Sequence, residues 1–532
     1  MWSQIEATPS HRTYLLLSAF LLTYALFSRF IRNRLHLSEP PLALLFGILL
    51  GPRVLGVLDP ISWGLQDNVV QELTRVILGI QCFAIGIELP RYYLNGHWKS
   101  VAIMLGPVMA FGWLVAALFA HLLFRVSWPT SLVIAACLTP TDPVLAASVL
   151  SNSKFSTRVP RRIKHMLSAE SASNDGVSFP FLYVGISILT NASAGESIKE
   201  WVLITILWQC AFGIFLGFVL GQGANYALRF SEARNYIGRP SFLVFYILLA
   251  TLSVGLGSTL GSDDFLIAFF AGVGFARDGY YAEKTKEVYI NDVVDLLLNS
   301  SVFVYFGSII PWEQMTFEIS QGMQTVTSSL VSQSSPSDTP GFENPTHSNA
   351  RINPPLLFAF LVLLLLLRRI PMLMALHQMH LIPAVYTFYE SLFAGHFGPM
   401  GLGALFLAIE ARAQLEHDSS LPYPSPPDYH PPYTHRQIAT IIIWPIVSFV
   451  VMGSTFVHGL SVAAISIGVS LRRKPEDRAP LLGTETERLG GMVHSDEEGD
   501  IGGEADDGGG GATERIRWVR ADAGGYPGHP SQ

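Results

Sequence analysis

Long apolar stretches recur from about residue 13 to residue 470 and leave few folds open to this chain. A helix that crosses a lipid bilayer needs roughly 20 mostly apolar residues. Hydrophobic residues make up 50% of the chain and charged residues only 14%, whereas soluble proteins carry about 25% charged residues. We therefore predict an all-α, polytopic membrane protein with about thirteen transmembrane helices. The predicted segments are residues 13–31, 40–58, 69–90, 101–124, 128–150, 161–190, 200–228, 240–259, 262–278, 292–310, 354–376, 385–410 and 437–470.

Basic residues alternate between the loops of these segments and thereby predict their orientation. Lys and Arg accumulate on the cytoplasmic side of a membrane, and here they follow every odd-numbered segment. We expect each odd-numbered segment to end inside, which places the N-terminus outside and the C-terminus in the cytosol. The basic residues that carry this pattern are Arg29, Arg32, Arg34, Arg91, Lys99, Lys154, Arg158, Arg161, Arg162, Lys164, Arg229, Arg234, Arg239, Arg277, Lys284, Lys286, Arg472, Arg473 and Lys474.

Two stretches are too polar to enter the membrane. Residues 314–353 contain many Ser, Thr and Pro residues and are predicted to form a disordered extracellular loop. Residues 471–532 are rich in Gly, Asp and Glu and are predicted to form a disordered cytosolic tail. The transmembrane domain is accordingly expected to span residues 1–470.

Two acidic motifs lie inside apolar segments. One is Thr-Pro-Thr-Asp-Pro at residues 139–143, and the other is Glu-Ser-Ala-Ser-Asn-Asp-Gly at residues 170–176. A carboxylate at bilayer depth costs about 2.5–3.5 kcal/mol even on lenient insertion scales, so it usually marks an ion or proton pathway. Asp142 and Asp175 each lie roughly 20 Å from the start of their segments at 1.5 Å per residue. Because the two segments start at opposite faces, we expect both carboxylates near the middle of the bilayer.

Helix-breaking residues interrupt two of the apolar segments. Pro140 and Pro143 break segment 128–150, and Gly398 and Pro399 break segment 385–410, which comes seven segments later. A pair of broken segments in corresponding positions of two halves indicates an inverted-repeat transporter with two broken, crossing helices. Two unrelated kinked helices are the alternative, since kinks are common in membrane proteins.

The side chains around the first break are of the type that binds hard cations. Na⁺ and related ions prefer oxygen ligands, and Pro143 frees the carbonyl of Thr141 as one such ligand. Ser171 and Asp175 are four residues apart and therefore share one helix face. Burial and a like-charged neighbour both favour the protonated form of a carboxyl group. We therefore predict a Na⁺ or K⁺ site at Asp142, Ser171 and Asp175, where a proton competes with the cation. The alternatives are a structural helix contact for Asp175 and hydrogen bonds to the broken backbone for Asp142.

Two arginines fall about halfway along segment 354–376. An unpaired buried guanidinium is implausible, so Arg368 and Arg369 require a carboxylate partner. Glu170 is the candidate partner, which would make this a structural ion pair. Alternatively, the segment ends early and both arginines lie at the cytoplasmic boundary.

Three further acidic residues lie at the ends of apolar segments. Glu88 is near the inner end of segment 69–90, where it either extends the site toward the cytosol or lies at the level of the lipid headgroups. Asp263 and Asp264 open segment 262–278 on the outer side. Carboxylates favour helix N-termini, so capping is the simpler role for this pair and an accessory role in cation attraction is the alternative.

Four motifs together resemble those of the cation:proton antiporters, and specifically the fungal plasma-membrane Na⁺/H⁺ antiporters of the monovalent cation:proton antiporter 1 family. The similarity covers most of residues 10–470. The motifs are Leu-Thr-Pro-Thr-Asp-Pro-Val-Leu-Ala at 138–146, Glu-Ser and Asn-Asp-Gly within 170–176, Phe-Gly-Pro and Gly-Leu-Gly-Ala within 397–404, and Val-His-Gly-Leu-Ser at 457–461.

This resemblance implies roles for individual residues. In such antiporters the Asp of the Asn-Asp pair carries the cation and the proton, which corresponds to Asp175 with Asn174 beside it. Positions that also coordinate the cation in relatives correspond to Asp142, Ser171 and Glu88. No cofactor and no nucleic-acid partner are implied.

The resemblance also implies a homodimer in which each chain has two parts. The core part would contain helices within residues 101–190 and 354–470. The dimerisation part would contain helices within residues 13–90 and 240–310, and a linker helix would span about 200–228. The core is expected to move like an elevator against the dimerisation part.

Residues and resemblance together predict antiport of Na⁺, with Li⁺ and K⁺ as further candidates, against H⁺ across the plasma membrane. The expected physiological roles are cation detoxification, salt tolerance and homeostasis of intracellular pH and K⁺. A proton-coupled transporter of another small solute is the alternative. An enzyme is not expected, because the chain has neither a Gly-x-Ser-x-Gly nor a Gly-x-Gly-Asp motif.

Overall fold

Helices form almost all the regular structure in the computed structural model. It describes residues 8–35, 37–142, 145–146, 159–190, 193–285, 290–318, 350–425, 427–430 and 433–472. Pro143, most of the predicted loop at 314–353 and nearly all of the predicted tail at 471–532 lie outside the described residues. The described strands, β1 (Phe317–Glu318) and β2 (Arg351–Ile352), pair antiparallel with Phe317 opposite Ile352.

The α-helices of the described residues follow one another along the whole transmembrane domain. In chain order they are α1 (Pro9–Phe30), α2 (Glu39–Leu50), α3 (Asp67–Glu88), α4 (Tyr93–Ile103), α5 (Met109–Phe124), α6 (Trp128–Cys137), α7 (Arg161–Leu189), α8 (Ala194–Glu200), α9 (Gly213–Ala233), α10 (Arg239–Leu260), α11 (Asp264–Ala276), α12 (Tyr280–Thr285), α13 (Ile290–Ile309), α14 (Pro354–Leu367), α15 (Ile370–Gln378), α16 (Phe388–His396), α17 (Leu402–His417) and α18 (His435–Arg472). Wider π-helical turns at Met104–Val108 and Trp201–Phe212 join α4 to α5 and α8 to α9.

Each predicted apolar segment overlaps one helix or two consecutive helices of the described residues. The prediction of a helical membrane protein is therefore confirmed, whereas the number of spans stays a prediction. Within the described residues, six helical stretches are long and apolar enough to cross a membrane: Pro9–Phe30, Asp67–Glu88, Tyr93–Phe124, Ala194–Ala233, Pro354–Gln378 and His435–Ser461.

Proline and glycine shorten or divide some of the predicted segments. Segment 40–58 is helical only to Leu50, because Gly51 and Pro52 begin a turn. Segment 354–376 is divided between Leu367 and Ile370, just before Pro371. Proline disfavours helical backbone at the residue before it and is itself tolerated in the first turn of a helix.

Helix α11 lies at the centre of the packing and is buried along almost its whole length. Glycines permit close backbone contacts on two of its sides. Gly86 of α3 lies against the Phe269 carbonyl, and Gly217 of α9 lies against Ile267. Small residues allow helices in a membrane to approach closely and gain dispersion energy. The result is a rigid support beside α7, which carries the second acidic motif.

Two non-helical stretches meet where the candidate site lies. Residues 138–142 follow α6, and residues 397–401 separate α16 from α17. The backbone N–H of Asp142 donates to the carbonyl of Pro399 at 2.7 Å. Both predicted breaks are thus present and in direct contact, while the inverted repeat itself stays a prediction.

Candidate functional site

Asp142 joins the two helix breaks through its side chain. Its Oδ1 accepts the backbone N–H of Leu145 at 2.7 Å, and its Oδ2 accepts that of Leu402 at 2.9 Å. Leu402 is the first residue of α17, so the carboxylate satisfies a donor that has no partner within the helix. A negative charge is also favourable at a helix N-terminus. The role in hydrogen bonding to broken backbone is thus present, and the proposed role as a cation ligand stays a prediction.

Asn174 and Ser171 hold the segment before Asp142 from the side of α7. Asn174 Oδ1 accepts the backbone N–H of Thr141 at 3.2 Å, and its Nδ2 donates to Thr141 Oγ1 at 2.9 Å. Thr141 Oγ1 also lies 2.8 Å from Ser171 Oγ. The bond from the Thr141 N–H replaces the backbone partner that a continuous helix would have supplied. Asn174 therefore positions the first break against α7.

Asp175 is the carboxylate that the surrounding residues satisfy least. Its side chain is 1% exposed. Its Oδ2 accepts a weak bond from the Cys82 thiol at 3.8 Å, while Oδ1 has no hydrogen-bond partner among the described residues. Oδ1 faces Gly403 in the first turn of α17. A buried charge without a partner is costly, so this carboxyl group needs a proton or a cation to be stable there.

The two arginines between α14 and α15 have different partners. Arg369 pairs with Glu170 through two bonds, one from each terminal nitrogen, of which Nη2–Oε2 measures 3.0 Å. Arg368 donates instead to the carbonyls of Leu138, Thr139 (3.3 Å) and Gly398 (2.8 Å). Carbonyls freed at both breaks are therefore bound by a guanidinium. Both arginines are buried although α14 ends just before them, and their role as a structural ion pair stays a prediction.

The remaining predicted acidic residues lie farther from Asp175 or have other partners. Glu88 is exposed at the C-terminal end of α3, about 9 Å along the helix axis from Cys82. Asp263 caps α11 by accepting the N–H of Leu266 at 2.9 Å, and its carboxylate lies against Gly176. Asp264 pairs with Arg75 at 2.8 Å. The simpler capping role of Asp263 is thus present in the structure.

A buried polar contact between α3 and α17 was not predicted from the sequence. Arg75 Nη2 lies 3.7 Å from Glu410 Oε2, and Gln71 donates to the same oxygen at 2.6 Å. One helix turn away, Arg412 pairs with Asp67 at 2.9 Å. The only signal in the sequence was the presence of charged residues inside two otherwise apolar segments.

Two residues of α18 hold the second break in place. The backbone N–H of Met400 donates to Ser454 Oγ at 2.8 Å. His458 Nε2 lies 2.9 Å from the carbonyl of His396, the last residue of α16. His458 is thus a satisfied core histidine, which fixes the end of α16 relative to α18.

The donors at the crossing are mainly neutral oxygens with few carboxylates. No cluster of three or more His, Cys, Asp or Glu residues suited to a metal ion occurs in the part of the chain that the structure describes. Sites that hold divalent ions commonly combine several carboxylates, while carbonyl and hydroxyl oxygens also bind hard cations. The predicted binding of a monovalent cation at this place stays a prediction.

Comparison with known proteins places the chain in one family. A family model described as "Sodium/hydrogen exchanger, transmembrane" matches residues 16–468. The chain is 40% identical over 472 residues to Na(+)/H(+) antiporter 2 of Zygosaccharomyces rouxii, an alignment that covers 88% of this chain and 54% of that protein. It is 32% identical over 473 residues to a Na(+)/H(+) antiporter of Schizosaccharomyces pombe, of which it covers 93%. The chain spans 44% of the length of the Na(+)/H(+) antiporter of Saccharomyces cerevisiae, to which it is 40% identical.

A solved structure shares the fold. It is that of MjNhaP1, the sodium proton antiporter of Methanocaldococcus jannaschii at pH 8, with a TM-score of 0.58 and 16% sequence identity. The similarity covers 87% of this chain and 99% of that protein. The resemblance predicted from the four motifs is confirmed, and the chain belongs to the transmembrane sodium/hydrogen exchanger family.

Proposed function

We propose that this protein exchanges Na⁺ for H⁺ across the plasma membrane, with Li⁺ and K⁺ as further transported cations. Its physiological role would be removal of toxic cations, salt tolerance and homeostasis of intracellular pH and K⁺. The family and the relatives named Na(+)/H(+) antiporters support this assignment. The single observation that carries it is the buried Asp175 Oδ1, which has no partner among the described residues.

Competition for Asp175 supplies the coupling. When neither face gives water access to the carboxylate, its charge is compensated by a bound proton or by a bound cation. Binding of one ion excludes the other, so the site carries Na⁺ across the membrane in one direction and H⁺ in the other. The Asp142 carboxylate, Thr141 and Ser171, which lie at the same helix breaks, would provide further oxygens for the cation.

Alternating access would move the core helices against the dimerisation helices, and the protein would act as a homodimer. The exposure of helix α1 is consistent with a partner surface inside the membrane, because Tyr24 is the one buried residue of this helix. Its apolar side chains face outward, among them Leu15, Leu22 and Leu26. These residues can contact lipid or a second copy of the chain.

The test is ion exchange by the purified protein in proteoliposomes. The vesicle interior is made acidic, Na⁺, Li⁺ or K⁺ is added outside with the membrane potential either clamped or left free, and internal pH is recorded. We expect Na⁺-dependent proton flux in the unmodified protein and in Asp418→Asn, whose exposed side chain makes a surface ion pair. Asp175→Asn should abolish the flux while the protein remains folded. Normal flux in Asp175→Asn, or flux that only organic solutes evoke, would refute the proposal.

A further inference from the structure

Glycines at the start of α17 face both carboxylates of the site: Gly401 lies just before the helix and Gly403 in its first turn. A Cβ atom at Gly401 would collide with the Asp142 carboxylate. A Cβ atom at Gly403 would collide with Asp175 Oδ1, and would lie 3.0 Å from Asp175 Cγ and 3.6 Å from Pro140 Cβ. At these two positions the backbone therefore lies closer to the carboxylates than a residue with a side chain would permit.

Backbone conformation does not explain the glycine at position 403. Its φ is outside the left-handed region in which glycine is preferred. It lies inside a helix, where glycine is less favourable than alanine by about 1 kcal/mol. The remaining explanation is steric, since a Cβ atom at position 403 would overlap with Asp175 Oδ1.

Two further features make the position of this oxygen important for cation binding. Asp175 Oδ1 is buried and has no partner among the described residues. The neighbouring Asn174 of α7 is bound to the first break through Thr141, so α7 is held in place beside that break. Oδ1 is therefore packed directly against Gly403, with Pro140 nearby.

We propose that Gly403 is a specificity-determining residue, because its missing side chain lets Asp175 Oδ1 lie against α17 and so sets the room left for a cation on the free side of this oxygen. This inference rests on the proposed function. Cavity size and the field strength of the coordinating oxygens are the two explanations of ion selectivity in membrane proteins. A methyl group at position 403 would displace Oδ1 from α17 and narrow this room. Li⁺, Na⁺ and K⁺ increase in size in that order, so the narrower room should disfavour K⁺ most and Li⁺ least.

The experiment measures KM for each transported cation in proteoliposomes of Gly403→Ala. One methylene more or less in a hydrophobic substrate pocket changes discrimination by roughly 10–200-fold, and we take the lower end of that range for this oxygen-lined site. We therefore expect the ratio of the Na⁺ KM to the Li⁺ KM to rise about tenfold, and the ratio for K⁺ to rise further where K⁺ is carried. The matched control is Gly255→Ala in α10, where nothing lies within 4 Å of the added Cβ. This control should leave all KM values unchanged.

A second variant keeps the test decisive if Gly403→Ala does not fold. Asp175→Glu carries the carboxylate oxygens toward Gly403 without altering α17, so it should shift selectivity in the same direction. Unchanged KM ratios in a folded variant, or equal scaling of all KM values, would overturn the role of Gly403. Absence of exchange in the unmodified protein would instead refute the proposed function, so the two failures are distinguishable.

Discussion

The buried ion pair between Glu170 and Arg369 permits a quantitative prediction about stability. The two side chains are only 3% and 8% exposed and share two hydrogen bonds. Removing one member of a buried pair costs about 3–5 kcal/mol, because the other charge stays buried without a partner. We therefore expect Arg369→Met and Glu170→Leu each to lower the free energy of unfolding by about 3–5 kcal/mol.

The double variant distinguishes this reasoning from a simple loss of contacts. Replacing both charges by apolar groups of similar volume is often neutral, apart from the bond between Arg369 and the Ala394 carbonyl, whose loss costs roughly 1 kcal/mol. Glu170→Leu/Arg369→Met should therefore lie within about 2 kcal/mol of the unmodified protein.

Equilibrium unfolding in detergent micelles, followed by circular dichroism, measures these differences. The exposed pair between Arg53 and Glu313, with side chains 64% and 80% exposed, provides the control. Arg53→Met should cost no more than about 1 kcal/mol. A double variant as unstable as the sum of the two single variants would refute the account of this ion pair.

Two further predictions concern the helix starts and the contact between α3 and α17. Asp142→Ala removes the acceptor for the backbone N–H groups of Leu145 and Leu402, so we expect the free energy of unfolding to fall by about 1–4 kcal/mol, at about 0.5–2 kcal/mol per lost cap. Asp142→Asn should retain part of this stability. Equal unfolding curves for Asp142→Ala and the unmodified protein would contradict the prediction. Arg75→Met leaves Asp264 and Glu410 buried without their shared cation, so we expect a loss of about 3–5 kcal/mol in the same unfolding assay. Arg75→Lys should recover part of that loss, and a Met variant as stable as the Lys variant would contradict the prediction.

The sequence predicted those features of the site that local chemistry determines. Pro140, Gly398 and Pro399 interrupt helices wherever the chain places them, so both breaks were predictable. Asp175 was predictable because an ionisable residue inside an apolar segment is costly and therefore unusual.

Contacts between distant parts of the chain were beyond this reasoning. Arg368 and Arg369 are adjacent in sequence, yet one binds the carbonyls of the breaks and the other binds Glu170. Which of the two faces α7 depends on the backbone angle between α14 and α15. The close approach of Gly403 to Asp175 likewise depends on how α17 packs against α7, for which the sequence contains no local signal.

In the proposed mechanism Na⁺ and H⁺ compete for the Asp175 carboxylate. The most direct measurement is the initial rate of exchange in proteoliposomes as a function of Na⁺ concentration at several pH values on the cation side. The apparent affinity for Na⁺ falls with the fraction of sites that are deprotonated and can bind it. Once the carboxyl group is mostly protonated, the KM for Na⁺ should therefore rise about tenfold for each unit by which the pH is lowered. The maximal rate at saturating Na⁺ should stay constant over the same pH range. A KM that does not change with pH, together with a falling maximal rate, would contradict competition at a single site.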